Sequence, residues 1–186
     1  MSKKEIILAT TLDLIADVGI QGTSLPDIIK KSGVAAGTIY YYFEGKEDLI
    51  DTLYLEIKQE ASKAFTEGIE QDISFKEKFF LIWKNLCSFY INNPKKFELL
   101  EDYANSPLVK NEIKAITRTY YQSAIDLFES GIKFGILRDL PVNLIFNMFT
   151  GNISTFARMI FLEELNPSDQ LLEKTIQASW DSIKIN

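Results

Sequence analysis

"SGVAAGTIYYYFEGKEDLI", residues 32–50, places three tyrosines in succession just after a glycine-bearing turn. On a helix, consecutive positions point about 100° apart, so Tyr40, Tyr41 and Tyr42 cannot all face one core. Val34, Ile39 and Phe43 lie five and four residues apart and share one side, which is therefore the side expected to be buried. Ala36, Gly37, Thr38, Tyr40 and Tyr41 then face outward near the start of the helix, with Tyr42 at its flank. Small residues at 36 and 37 permit close approach to another surface. Hydroxyls such as those of Thr38 and the tyrosines can donate to phosphate oxygens without carrying charge.

Working outward, Ser24 is placed to cap a short helix "LPDIIKKS", with Asp27 three residues on and Pro26 in the first turn, where its missing N–H does no harm. Gly33 marks the end of that helix. Before it, Ile6, Ile7, Ala9, Leu12, Leu14, Ile15 and Val18 trace a first helix that stops at Gly19. Two short helices joined by a tight turn and backed by a packing helix are the outline of a helix-turn-helix. Downstream, a long helix runs from about Lys46 to Gly68, and amphipathic segments follow at roughly 74–92, 95–105, 107–134, 141–164 and 168–184. Pro94, Pro107, Pro141 and Pro167 are each expected at a helix start. The fold class is all-α, with about nine helices and no strands. Residues 1–46 are expected to form one small module, and residues 47–186 a larger helical bundle.

"GTSLPDIIKKSGVAAGTIYYYFEGKEDLIDTLY" resembles the DNA-binding motif of the TetR/AcrR family of transcriptional regulators. That family's pattern reads G-T-T-x-x-x-I-A-x-x-A-G-V-S-x-G-T-L-Y-x-Y-F-x-x-K-x-x-L. Gly22, Thr23, Ser24, Ile28, Gly33, Val34, Gly37, Thr38, Ile39, Tyr40, Tyr42, Phe43, Lys46 and Leu49 fall at matching or near-matching places. The resemblance implies that Thr38, Tyr40, Tyr42 and Lys46 hold the DNA backbone and that Ser24 contacts phosphate. It also implies that Ala36, Gly37 and Tyr41 face base edges. Three departures stand out. Ala35 replaces a common capping serine, Pro26 a common arginine, and Ala36 a longer polar side chain. No arginine precedes Arg118, so the bidentate arginine contact to guanine is missing from this module, and an AT-leaning operator is expected.

Composition narrows the remaining classes. The chain of 186 residues is 46% apolar and 25% charged, enough to bury a core. It has no histidine and one cysteine, Cys87, which removes Ser-His-Asp and Cys-His pairs, the HExxH zinc motif and any intrachain disulfide. No cofactor is called for, and an enzyme is not expected. No apolar run is long enough for a membrane span, and the N-terminus is too interrupted for a secretory signal, so a cytoplasmic protein is expected. Net charge is −6; residues 1–46 are balanced with five lysines and five acids, leaving 15 basic and 21 acidic residues in the rest. Lys3, Lys4, Lys30 and Lys31 are expected to form a solvated rim.

The larger part is rich in aromatics, as suits both a core and an apolar pocket. Trp83, Cys87, Tyr90, Tyr103, Tyr121, Phe149, Asn152 and Phe156 are the pocket candidates, for a small hydrophobic or aromatic effector. Cys87 is also read as a buried small hydrophobe. The last two helices are expected to form a homodimer interface. Gly151, Ser154 and Ala157 would admit a close helix, and Leu171, Leu172, Ile176, Trp180 and Ile183 form a stripe. The expected function is a repressor released by its effector from a palindromic DNA operator. The alternative is a helical small-molecule-binding protein whose DNA module does not work.

Overall fold

Ser2 opens the first helix with a capping box. Its hydroxyl accepts the Glu5 amide while the Glu5 carboxylate accepts the Ser2 amide. The computed structural model describes residues 1–104, 106 and 109–185. The helices are α1 (Lys3–Gly22), α2 (Leu25–Ser32), α3 (Ala36–Tyr42), α4 (Lys46–Thr66) and α5 (Phe75–Asn92). They continue as α6 (Pro94–Ala104), α7 (Asn111–Tyr120), α8 (Gln122–Lys133), α9 (Val142–Phe161) and α10 (Asp169–Ile183). Among the described residues the one piece of β pairing is an isolated bridge between Leu137 and Lys184.

The expected single helix over 107–134 is two helices. Tyr121 leaves helical geometry at φ −101°, ψ 12°, and the preceding carbonyl, that of Tyr120, accepts the Ser62 hydroxyl. A serine on α4 thus takes an acceptor that would otherwise serve the helix ladder, which is why the described residues form ten helices where nine were expected. Of the proline expectations, Pro94 begins α6, Pro141 is the cap residue before α9, and Pro167 precedes the Ser168 cap of α10. Pro107 lies outside the described residues. Gly19, at φ +74° and ψ +169°, breaks α1 where the sequence reading ends it, and one further turn follows.

The chain divides into two compact units, 1–59 with 93–117 and 60–92 with 118–186. In the first, α1 packs on α2, α3 and α6. Ile7, Ile15, Ile28, Ile39, Phe43 and Leu49 fill the interior. Charged pairs edge this unit: Lys95–Asp13 at 2.6 Å, Lys4–Glu56 at 2.8 Å and Lys31–Asp17 at 3.0 Å. These surface pairs contribute little to stability. In the second unit, α5 packs on α9 and α10, and α8 on α9. Phe149 is the hub, with its ring 4.8 Å from Phe79, 5.2 Å from Phe128 and 5.7 Å from Phe65. Edge-to-face geometry dominates this cluster, as the ring quadrupole favours.

Candidate nucleic-acid interface

Ser24 caps α2 through the Asp27 amide at 3.3 Å, and its own hydroxyl donates to the Asp27 carboxylate. Pro26 follows in the first turn, and Gly33 closes the helix in the left-handed region at φ +66°. A β-carbon is disfavoured in that conformation, so glycine allows α3 to start three residues later at its own angle. On α3, Ile39 is 1% exposed, and flanking Val34 and Phe43 are equally enclosed. Tyr40, Tyr41 and Tyr42 remain 59%, 80% and 40% exposed. Tyr42 meets Tyr41 edge-on at 5.0 Å and leans toward Phe43 at 6.3 Å. The tyrosine run is thus an aromatic ridge rooted in the core by its neighbours.

Ala36 and Gly37 are exposed beside this ridge, and Thr38 is half-buried. A β-carbon added at Gly37 would meet nothing within 4 Å, so the surface there is open. Ala35 caps α3 with no side-chain hydrogen bond, and the Thr38 amide donates to its carbonyl at 2.9 Å. Lys46 begins α4 and extends its ammonium to the Gln21 carbonyl at 3.4 Å. Neutral donors, a lysine and a helix N-terminus thus belong to one small helical unit.

The interior candidates divide. Trp83, Cys87, Tyr90, Tyr121, Phe149 and Phe156 are all buried in the second unit. Trp83 meets Phe156 edge-on at 5.6 Å, and its indole N–H is buried without a hydrogen-bond partner among the described residues. Burial pushes the Cys87 thiol up to about 12, in keeping with an inert buried hydrophobe. Asn152 is exposed instead of lining the interior, and its amide nitrogen donates to the Ser179 hydroxyl at 3.3 Å. Tyr103 belongs to the first unit, where its hydroxyl donates to Asp51.

Sequence reading missed Asp51 and its partner Lys110. Asp51 is 7% exposed on the inner side of α4, and it accepts both the Tyr103 hydroxyl and, at 2.9 Å, the Lys110 ammonium. Burial and this carboxylate push the Tyr103 hydroxyl well above its ordinary range. The available signal was Asp51 itself, an acid set among Leu49, Ile50, Leu53 and Tyr54. The α10 stripe also needs correction as a dimer surface. Ile176, Trp180 and Ile183 are buried, with Trp180 5.1 Å from Phe79, because α10 spends its apolar side on its own bundle. Ala157 is likewise fully buried, whereas Gly151 is exposed.

A buried-root recognition helix behind a glycine turn, on a frame of helices, defines a helix-turn-helix transcriptional regulator. Residues 7–53 match the model of bacterial regulatory proteins of the tetR family, and residues 74–184 match a tetracyclin repressor-like C-terminal domain. The chain belongs to the TetR family and is a DNA-binding regulator. It is 26% identical over 181 residues to an uncharacterized HTH-type transcriptional regulator of Haemophilus influenzae, covering 97% of this chain and 95% of that one. It is 28% identical over 150 residues to a fatty acid metabolism regulator protein of Bacillus subtilis, covering 79% and 77%. The crystal structure of the transcriptional regulator FadR from Bacillus subtilis in complex with stearoyl-CoA shares the fold. Its TM-score is 0.75 at 22% identity, covering 93% of this chain and 95% of that one.

Proposed function

We propose that the protein is a cytoplasmic, homodimeric repressor released from a palindromic operator by a hydrophobic effector carrying an acyl chain. The observation that carries the DNA reading is the exposed Tyr40–Tyr42 ridge held on the buried Ile39 and Phe43. Thr38, Tyr40, Tyr42, Lys46 and Ser24 hold phosphates, while Ala36, Gly37 and Tyr41 meet base edges. Ala36 suits a thymine methyl and Tyr41 a base acceptor, which supports an AT-leaning site in a module that lacks arginine. Residues 1–46 form the DNA-binding part, and residues 47–186 hold the effector and the dimer contact.

The aromatic interior of the second unit supports an apolar effector, with Trp83, Cys87, Tyr90, Tyr121, Phe149 and Phe156 as lining residues. The relative solved with stearoyl-CoA supports an acyl thioester as its class. Dimerisation is assigned to α9 and to the side of α10 opposite its buried stripe. Leu144 and Gly151 lie along one exposed side of α9, with its cap residue Leu162 beyond them; Leu144 is 47% and Leu162 60% exposed. Two copies give two recognition helices, as selective binding to a palindrome requires. The effector favours a dimer whose recognition helices no longer fit successive major grooves, with α4 transmitting the change. A roughly 100-fold loss of DNA affinity needs about 2.7 kcal/mol of coupling.

Selection from a randomised duplex pool at about 50 mM salt, where phosphate contacts are strongest, tests this reading. The wild type is expected to enrich a palindrome that Tyr42→Ala does not, and stearoyl-CoA is expected to release it. A pool that stays unenriched would sink the DNA reading and leave an effector-binding protein.

A further inference from the structure

Burying a carboxylate is costly unless its oxygens are paired, and an apolar side chain would tie two helices together at lower cost. Asp51 is nonetheless set into the inner side of α4, five residues after Lys46. Its two oxygens reach two different parts of the chain. One accepts the Tyr103 hydroxyl from the last turn of α6, and the other accepts the ammonium of Lys110, the residue before α7. Lys110 also stands 3.8 Å from Glu47, one turn earlier on α4. Lys46, Gln21, Asp51, Tyr103 and Lys110 all border one cavity of about 140 Å³. The same cavity wall therefore carries the carbonyl of Gln21, on which the Lys46 ammonium rests, and the node that fixes α4 to α6.

A hydrogen-bonded node of this kind has discrete made and broken arrangements. The Lys110 arm is half-exposed, so water can replace it when the node opens. We propose that Asp51, Tyr103 and Lys110 are positioning residues for DNA binding. The node sets where the first turn of α4 stands against α6, and with it where Lys46 and the adjoining recognition helix meet DNA. A shift of α6 that breaks the Tyr103–Asp51 bond frees that turn and weakens the grip. The inference rests on the regulator reading above but adds a residue set that never touches DNA.

The test is a double-mutant cycle on the full-length protein, using the duplex enriched by the wild type. Affinity is measured for wild type, Tyr103→Phe, Lys46→Gln and the pair, with melting temperatures recorded alongside. Tyr103→Phe removes one oxygen and keeps the ring, and its melting temperature checks that it stays folded. Lys110→Gln, on the half-exposed arm, serves as the second probe of the node. Tyr103→Phe and Lys110→Gln are each expected to weaken binding by about fivefold. In the Tyr103→Phe background, Lys46→Gln is expected to cost about threefold less than in the wild type. A purely structural tyrosine would lower the melting temperature and give additive effects on affinity. Additive effects, or wild-type affinity in both node variants, overturn the inference while leaving the regulator reading intact. A wild type that retains no duplex overturns both.

Discussion

Ala35 gives α3 a poor start, and restoring a cap should be measurable. The helix is seven residues long, too short to hold itself by propensity, and its first turn carries neither a side-chain cap nor an acid. Ala35 already has the extended geometry of a cap residue, at φ −59° and ψ 140°, and it is exposed. Ala35→Ser therefore places a hydroxyl where it can accept the Gly37 amide, the Thr38 amide being already bonded to the residue-35 carbonyl. Such a cap contributes about 1 kcal/mol. Since about 1.4 kcal/mol is a factor of ten, local opening of α3 should become about fivefold rarer. Amide exchange at Ile39 and Phe43 reads this directly, because both amides are bonded within the α3 turn structure, to the Ala35 and Ile39 carbonyls. Operator affinity should tighten by no more than the same fivefold. Ala35→Asp is the discriminating companion: it caps equally well but sets a negative charge where the proposed interface meets phosphate. It should protect the same amides while weakening DNA binding. Unchanged exchange in Ala35→Ser would refute the capping argument, and undiminished DNA binding by Ala35→Asp would refute the placement of the α3 N-terminus at the DNA.

Three further outcomes follow from the second unit. Cys87, with its thiol raised to about 12 by burial, should stay protonated and resist alkylation at pH 8 until the protein is denatured; rapid labelling of the native protein would contradict its burial. Gly131→Ala should lower the melting temperature despite its better helix propensity, because the new β-carbon would sit 2.5 Å from the Phe75 ring and 3.0 Å from Leu137. Overpacking of this kind costs about 1–3 kcal/mol, and a rise in melting temperature would show that Phe75 moves aside freely. Phe149→Ala removes the hub of the aromatic cluster and should cost about 3–5 kcal/mol, read as a lowered urea midpoint; a loss under 1 kcal/mol would mean that the cluster recloses around the gap.

The sequence was most informative where one local rule decided the structure. Ser24, Gly33, Ile39 and Phe43 each act within a turn or two of themselves, so spacing alone set α2, the turn and the buried side of α3. The outward tyrosines followed from the same spacing by elimination. Less was legible where a distant residue intervened. Nothing near Tyr121 announces the break between α7 and α8, because its cause is Ser62, whose hydroxyl captures the Tyr120 carbonyl from 58 positions away. The α10 stripe had the right period for an interface, but an apolar face has the same pattern whether it meets its own bundle or a second copy. The presence of Phe79 beside Trp180 decides that case.

Tyr103 and Asp51 carry the same lesson into function. Periodicity marks Tyr103 as an inward aromatic, and an inward aromatic in an effector-binding protein reads as pocket lining. What distinguishes it is a hydroxyl, and a buried hydroxyl must find a partner. Asp51 supplies one from 52 positions earlier in the chain, and Lys110 balances the charge from 59 positions later. Seen from the sequence, Asp51 is an unpaired acid on an apolar helix face and Tyr103 an ordinary ring. Seen together, they form a polar joint between the helix that carries Lys46 and the helix that follows α5. An apolar joint would hold those helices as firmly, but it would not have a broken state that differs in kind from its closed one. That difference is what a switch requires, and it is why the DNA affinity of Tyr103→Phe, which removes only the hydroxyl, is the informative quantity.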